Sequence, residues 1–183
     1  TDTDWRKETQ KTGYQQNVDL NMSGGNDKLT YYTSANYFSQ ESIVKNSSFS
    51  RLAFTNKIAY QATDKLKVTS DFQFSYANLR TLSQGGAFAN PILAQYFNRP
   101  TDRTRNDDGS WYWIASNSRL SNGLYNIPYL QENNYSKAGT LRAYANLGVE
   151  YKIFKDLTYK FVFSPEYINV EEDTYWNPLH GDG

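Results

Sequence analysis

Apolar and polar residues alternate with a period of two in six segments of this chain. The spacers between those segments run short, medium, short, long and short. A period of two belongs to strands that turn one face to an apolar surrounding and the other to water. The first segment, about 14–23, sets Val18, Leu20 and Met22 against Asn17, Asp19 and Asn21. Gly24-Gly25-Asn26-Asp27 then predicts a tight turn, with Gly and Asn expected at positive φ. The second segment, 28–40, is the least regular: Leu29, Tyr31, Thr33, Ala35 and Tyr37 oppose Thr30, Tyr32, Ser34, Asn36 and Phe38. After a spacer at 41–48, the third (49–61) sets Leu52, Phe54, Ile58 and Tyr60 against Arg51, Thr55, Lys57 and Gln61, with Asn56 interrupting the apolar face.

Thr63-Asp64-Lys65 is read as another tight turn. The fourth segment is the cleanest, with Leu66, Val68, Phe72, Phe74 and Tyr76 against Lys67, Thr69, Asp71, Gln73 and Ser75. The fifth sets Leu141, Ala143, Ala145, Leu147, Val149 and Tyr151 against Arg142, Tyr144, Asn146, Glu150 and Lys152. Phe154-Lys155-Asp156 marks the next turn, and Leu157, Tyr159, Phe161 and Phe163 oppose Thr158, Lys160 and Ser164 in the sixth. Pro165 cannot donate to a ladder and predicts a bulge or strand end. Between the fourth and fifth segments periodicity is lost, and breakers recur at Gly85-Gly86, Asn90-Pro91, Arg99-Pro100, Asp107-Asp108-Gly109 and Ile127-Pro128. A structureless connection of that length is uncommon in a compact soluble domain but ordinary on the outer side of a barrel.

This pattern predicts an all-β fold: an antiparallel, up-and-down transmembrane β-barrel segment of about six strands with one long outer loop. The expected layout is 1–13 as the tail of an outer loop, 14–78 as four strands and 79–139 as the long extracellular loop. Residues 140–168 then form two strands, and 169–183 begin the next outer loop. With the tight turns on the periplasmic side, the first strand descends, so an ascending strand is expected before it. Six strands are too few to enclose a lumen of ordinary dimensions, and the chain is expected to be an excerpt of a larger barrel.

Composition sharpens this picture. Of 183 residues, 16% are aromatic, sixteen of them Tyr, yet the mean hydropathy is −0.77. Outer-membrane barrels combine aromatic girdles with water-facing half-strands in this way. A formal net charge of zero gives no reason to expect nucleic acid. The absence of cysteine excludes disulfides and thiolate metal sites. No apolar run is long enough for a transmembrane helix, and Thr1-Asp2-Thr3-Asp4-Trp5-Arg6 is not a signal peptide.

Several stretches carry a family resemblance. They are Thr3-Asp4-Trp5, Asn21-Met22-Ser23-Gly24-Gly25-Asn26-Asp27-Lys28 leading into Tyr31-Tyr32, and Tyr37-Phe38-Ser39-Gln40-Glu41-Ser42-Ile43-Val44. Thr63-Asp64-Lys65-Leu66-Lys67-Val68, Asn90-Pro91, Glu132-Asn133-Asn134-Tyr135-Ser136-Lys137 and Glu150-Tyr151-Lys152-Ile153-Phe154-Lys155-Asp156-Leu157-Thr158 follow. In that order the chain resembles the barrel of SusC/RagA-type TonB-dependent outer-membrane transporters, nutrient importers of Bacteroidetes. The resemblance implies a closed barrel of about twenty-two strands in the Gram-negative outer membrane, with an N-terminal plug and import energised by the TonB complex. It also implies a SusD-like lipoprotein lid and a glycan or oligopeptide substrate. Nothing in the sequence matches the plug or the TonB-contacting segment. The competing reading is a soluble β-rich surface binding domain or adhesin that uses its aromatic loop. In such a sandwich Val68, Phe72, Phe74, Ala145, Leu147 and Phe161 would pack against a second sheet instead of facing lipid.

Candidate chemistry is sparse. Trp111-Tyr112-Trp113 in the long loop is the leading ligand-binding cluster, since aromatic faces stack on sugars; the alternative is that they pack the loop on itself or on a lid. Asn106-Asp107-Asp108-Gly109 lacks the Glu of a calcium loop, whose place is taken by Ala115, and reads as an Asx or hairpin turn. Glu171-Glu172-Asp173 reads as a solvated acidic run in a loop. His180 is the sole histidine, which excludes a His-based metal cluster and leaves no supported catalytic triad. Gly24-Gly25 lacks phosphate-loop spacing, and no carboxylate pair suggests glycoside hydrolysis. Arg51, Lys57, Lys67, Arg142, Glu150 and Lys152 are expected on the lumen face, lining a solute path or pairing with one another or with the plug. No enzyme activity, cofactor or metal is expected.

Overall fold

The structure, a computed structural model, describes residues 2–82, 89–114 and 119–179. It holds one antiparallel sheet made of β1 (Gln15–Gly25), β2 (Leu29–Glu41), β3 (Ser48–Gln61), β4 (Leu66–Thr81), β5 (Tyr135–Phe154), β6 (Leu157–Phe163) and β7 (Glu166–Tyr175). Neighbours in sequence are neighbours in space from β1 to β6, and β7 also pairs with β5. The order is up-and-down, and the sheet is open: its two outermost strands do not pair with each other. The tight turns lie where they are expected. Thr63 and Leu66 exchange backbone hydrogen bonds around Asp64-Lys65, and Lys155-Asp156 joins β5 to β6.

Register places the alternating residues on two faces. Met22 opposes Thr33, Thr33 opposes Asn56, Asn56 opposes Phe72, and Phe72 opposes Ala145. On that face stand Leu20, Ala35, Phe54, Phe74 and Ala143 one row away, and Val68, Val149 and Phe161 further along. The reverse face carries Asp19, Asn36, Arg51, Lys57, Asp71, Gln73 and Glu150. No second sheet among the described residues covers the apolar face. Leu20 is 69% exposed and Phe161 51%. A soluble sandwich would bury these side chains, so the soluble reading loses its defining feature.

The apolar band has bilayer dimensions. It runs from the row of Leu66, Tyr151 and Tyr159 to the row of Val18, Tyr37, Leu52, Tyr76 and Leu141. Ten residues along a strand cover about 34 Å, or roughly 25 Å of thickness at a tilt of about 45°. Tyrosines mark both margins, as interfacial girdles do. Beyond the second margin the same face turns polar at Ser39, Ser50, Asn78, Arg80 and Lys137, while the ladder continues.

That continuation corrects several expected boundaries. β4 runs to Thr81 and β5 starts at Tyr135, because Thr81 still pairs with Ser136. Residues 79–81 and 135–139 are therefore strand, not loop. The acidic run Glu171-Glu172-Asp173 lies within β7, opposite Gly139, Ala138 and Lys137. The strand breaks at Pro165 as expected, β6 ending at Phe163 and β7 starting at Glu166, but without a bulge: Tyr144 opposes Glu166 and Leu147 opposes Phe163, with equal numbers of residues between. Ala145 donates its N–H to Pro165 O at 3.0 Å, so the register continues from β6 into β7 across a single missing donor.

Two local expectations also change. Gly24 and Gly25 have no positive φ. Both lie in β1, where a Cβ on Gly25 would come within 2.4 Å of Leu29 O and one on Gly24 within 2.7 Å of the Tyr31 hydroxyl. At Gly25 close backbone approach, not turn geometry, calls for glycine, whereas at Gly24 the near neighbour is the Tyr31 side chain. The turn itself is made by Asn26, whose Oδ1 accepts from the N–H groups of Lys28 and Leu29, both at 2.9 Å.

The long connection is not structureless, and the first residues are not a bare loop tail. α1 (Trp5–Thr9) is capped by Asp4, α2 (Pro91–Phe97) by Asn90 with Pro91 in its first turn, and α3 (Ile127–Asn133) closes the long loop. Ala89, Ala94, Tyr125, Ile127, Tyr129 and Leu130 form a buried cluster. The hydrophobic core among the described residues thus lies in the outer loops, not on the sheet.

Candidate functional site

Four outer connections meet at the end of the sheet away from the tight turns. Trp5 is 3% exposed and donates its indole N–H to Arg99 O at 2.9 Å. Gln131 in α3 donates to Thr9 O, and Asn46, in the β2–β3 connection, donates to Gln131 O. The N–H of Lys45 reaches Thr9 O, and that of Lys11 reaches Ile43 O. At the far end Asn177 donates its N–H to Asn134 Oδ1, and Tyr129 donates its hydroxyl to Asn177 Oδ1 at 2.7 Å. Burial holds the Tyr129 phenol above its usual range, so it serves as a neutral donor.

The aromatic triad sits inside this body. Trp111 and Trp113 each meet the Tyr129 ring edge-on at 5.4 Å, flanking the buried cluster. The Arg105 guanidinium lies 3.6 Å over the Trp111 ring and also bonds Glu132. Arg103 lies over Tyr112 at 5.7 Å. Internal packing accounts for much of the surface these rings have to offer. Below them Asn106-Asp107-Asp108-Gly109 is the expected hairpin turn, with Gly109 at φ 85° and Asn106 N–H bonded to Ser110 O at 2.8 Å. Hydrogen bonds from the Ser110 hydroxyl and N–H hold the Asp108 carboxyl below its usual range.

The polar face of the sheet carries a cross-strand network. Asn36 donates to Asn17 Oδ1 at 2.7 Å and to Asp19 Oδ1 at 2.6 Å, and Asn17 donates to Asp19 Oδ2 at 2.6 Å. Lys57 pairs with Asp71 at 3.3 Å, Glu150 with Lys160 at 3.0 Å, and Arg142 with Glu166. Exposed pairs of this kind contribute at most about 1 kcal/mol each; their consequence is a water-compatible wall. No group of ligating side chains fit for a metal exists among the described residues. His180, Ala115 and Gly85-Gly86 lie outside the described residues.

Where this face meets the outer loops there is a cavity of about 810 Å³. Its floor is the last row of polar-face positions, Gln15, Gln40, Phe49 and Leu79, which oppose one another in that order. Its roof is the start of α2, and Ile43 and Val44 stand at one side. Sequence reasoning did not single out this site. A signal was present: Phe38, Phe49 and Leu79 are apolar residues at positions of otherwise polar parity, all at the same end of their strands.

No protein-family model matches the chain. Two curated proteins of Formosa agariphila do. The chain is 27% identical over 161 residues to TonB-dependent receptor P26, covering 87% of the chain and 15% of that protein. It is 39% identical over 66 residues to TonB-dependent receptor P3, covering 36% and 7% respectively. Among solved structures, the RagAB peptide transporter matches with a TM-score of 0.71 at 23% identity, over 98% of this chain and 21% of that one. The RagAB peptide importer in its open-open state gives 0.72 at 22% identity, over 98% and 20%. These likenesses establish the fold as part of such a barrel, and the chain spans about a fifth or less of each protein it matches.

Proposed function

Taking the chain as similar to a stretch of a SusC/RagA-type TonB-dependent transporter, we propose that it forms barrel wall and extracellular loops of an outer-membrane nutrient importer. The observation that carries this reading is the single-layer sheet, whose uncovered apolar face is roughly as tall as a bilayer core and whose reverse face is polar. The apolar face meets outer-membrane lipid, the polar face lines the lumen, and the loop body stands outside the cell. A plug in the lumen, coupled to the TonB complex, would gate passage, and a SusD-like lipoprotein would cover the outer mouth. The substrate is of the glycan or oligopeptide class. The chain's role is transport, without covalent chemistry.

Adjacent residues test the facing. Phe72 and Gln73 are neighbours in β4 on opposite faces, close to the middle of the band. In the full-length protein, Phe72→Arg puts a charge against lipid at a cost of about 2–4 kcal/mol, whereas Gln73→Arg stays in water. The expected result is loss of heat-modifiable barrel from the outer-membrane fraction for Phe72→Arg and normal assembly for Gln73→Arg. Equal tolerance of both, or the reverse order, refutes the reading.

A further inference from the structure

We propose that Arg80 and Lys137, on the apolar side of the sheet just beyond the band, bind the phosphate of an anionic lipid headgroup in the outer leaflet. This rests on the importer reading above, since only in a barrel does that side meet lipid. The two residues oppose each other across the β4–β5 ladder, on the same face as Tyr76 and Leu141. Like charges directly opposite one another destabilise a ladder unless something relieves them. Neither cation makes an ion pair among the described residues. The Nε of Arg80 is also buried with no acceptor. Both strands have neighbours on each side, so the unrelieved charge is not an effect of the open sheet edges.

Height and neighbours select the ligand. Arg80 lies four residues beyond Tyr76, and Lys137 four beyond Leu141, both toward the outer loops. Four residues rise about 14 Å along a strand, or about 10 Å in height at a tilt of about 45°. That level belongs to the headgroup layer, and long basic side chains can lean back toward the band. Ser48 opposes Arg80 and Ser50 opposes Asn78, which adds neutral donors on the β3 side. The nearby carboxylates stand on the other flank, in β7, where Glu171 opposes Gly139 and Asp173 opposes Lys137. Both are engaged there. Glu171 accepts from Asn169 at 3.2 Å, and Asp173 holds the Tyr135 phenol above its usual range while Arg80 pulls it down. Lys137 lies over that same ring at 4.2 Å. A phosphate seated among Arg80, Ser50 and Asn78 meets two positive charges and neutral donors, and the guanidinium fork matches its oxygens. The acyl chains of the same lipid then run down over Leu52, Tyr76 and Phe74 of the band. Continuity of the donors with the apolar face is what assigns the phosphate to a lipid.

The test uses the full-length transporter purified in detergent and three probes: lipid A carrying its phosphates, the same lipid after chemical dephosphorylation, and inorganic phosphate. Titrations followed by native mass spectrometry are expected to give the phosphorylated lipid at least about tenfold tighter binding than the dephosphorylated one, with no displacement by inorganic phosphate. Arg80→Gln combined with Lys137→Gln should bring the two lipids within about twofold of one another. Arg80→Lys combined with Lys137→Arg keeps both charges and should keep the preference, which separates charge from misfolding. Equal binding of the two lipids, displacement by inorganic phosphate, a preference untouched by neutralisation, or its loss in the charge-preserving variant overturns the inference while leaving a heat-modifiable outer-membrane barrel intact. Absence of that barrel in the unaltered protein overturns the importer reading and the lipid site with it.

Discussion

Asn56 stands among the leucines and phenylalanines of the apolar face, and its side-chain amide donates to Thr33 Oγ1 across the ladder at 2.8 Å. The interruption at Asn56 is visible in the sequence, but its remedy depends on register, which puts Thr33 directly opposite. Removing the hydroxyl leaves a polar group unpaired in an apolar setting, at about 1–3 kcal/mol. Thr33→Val is therefore expected to lower the unfolding midpoint of the full-length barrel in denaturant. Adding Asn56→Leu should restore it, so the two effects will not add. Asp108 offers a second residue-scale test. Its folded pKa is depressed by Ser110, so its contribution is present above the unfolded value of about 3.9 and is lost as pH falls through the folded value. Hydrogen exchange at 106–110, corrected for intrinsic rates, should show protection falling at acid pH below that value. Asp108→Asn should flatten the dependence.

At the scale of elements, strands were legible in the sequence wherever one face is apolar and the other polar. The fourth segment shows this best, from Leu66 to Tyr76. The strand ends were not legible, for the same physical reason. Past the band both faces are polar, so Asn78 and Arg80 in β4, or Glu171 and Asp173 in β7, carry no contrast that period two can reveal. β7 even reverses it, placing Ile168 and Val170 on the polar face. Pro165 does mark the break between β6 and β7, but only the pairing shows that the register continues across it. That register predicts the effect of replacing it. Pro165→Val restores the N–H that Ala145 O lacks in a pair already bonded in the other direction. It should raise barrel stability by about 1 kcal/mol, read as a higher denaturant midpoint with an unchanged slope.

Across the whole molecule, the outer surface behaves as a second structural layer. The sheet is a single layer, and no second layer covers its apolar face among the described residues. The loops meet water on every side and must supply their own core, which they assemble around Tyr125, Ile127 and Tyr129. No repeating pattern announces such a cluster, since its members come from short turns and helices of seven residues or fewer. Trp5 is the latch between the residues before β1 and the long loop, through burial and its bond to Arg99 O. Trp5→Ala should cost about 3–5 kcal/mol, confined to that layer. Hydrogen exchange is then expected to rise together at 2–13, 42–47, 89–114 and 119–134, because Thr9, Asn46 and Gln131 are bonded in series. The ladder from β2 to β5 should keep its protection, held by its own cross-strand bonds. Loss of protection at 2–13 alone would mean that the outer connections open independently, and the roof of the cavity would then have no fixed position over its floor.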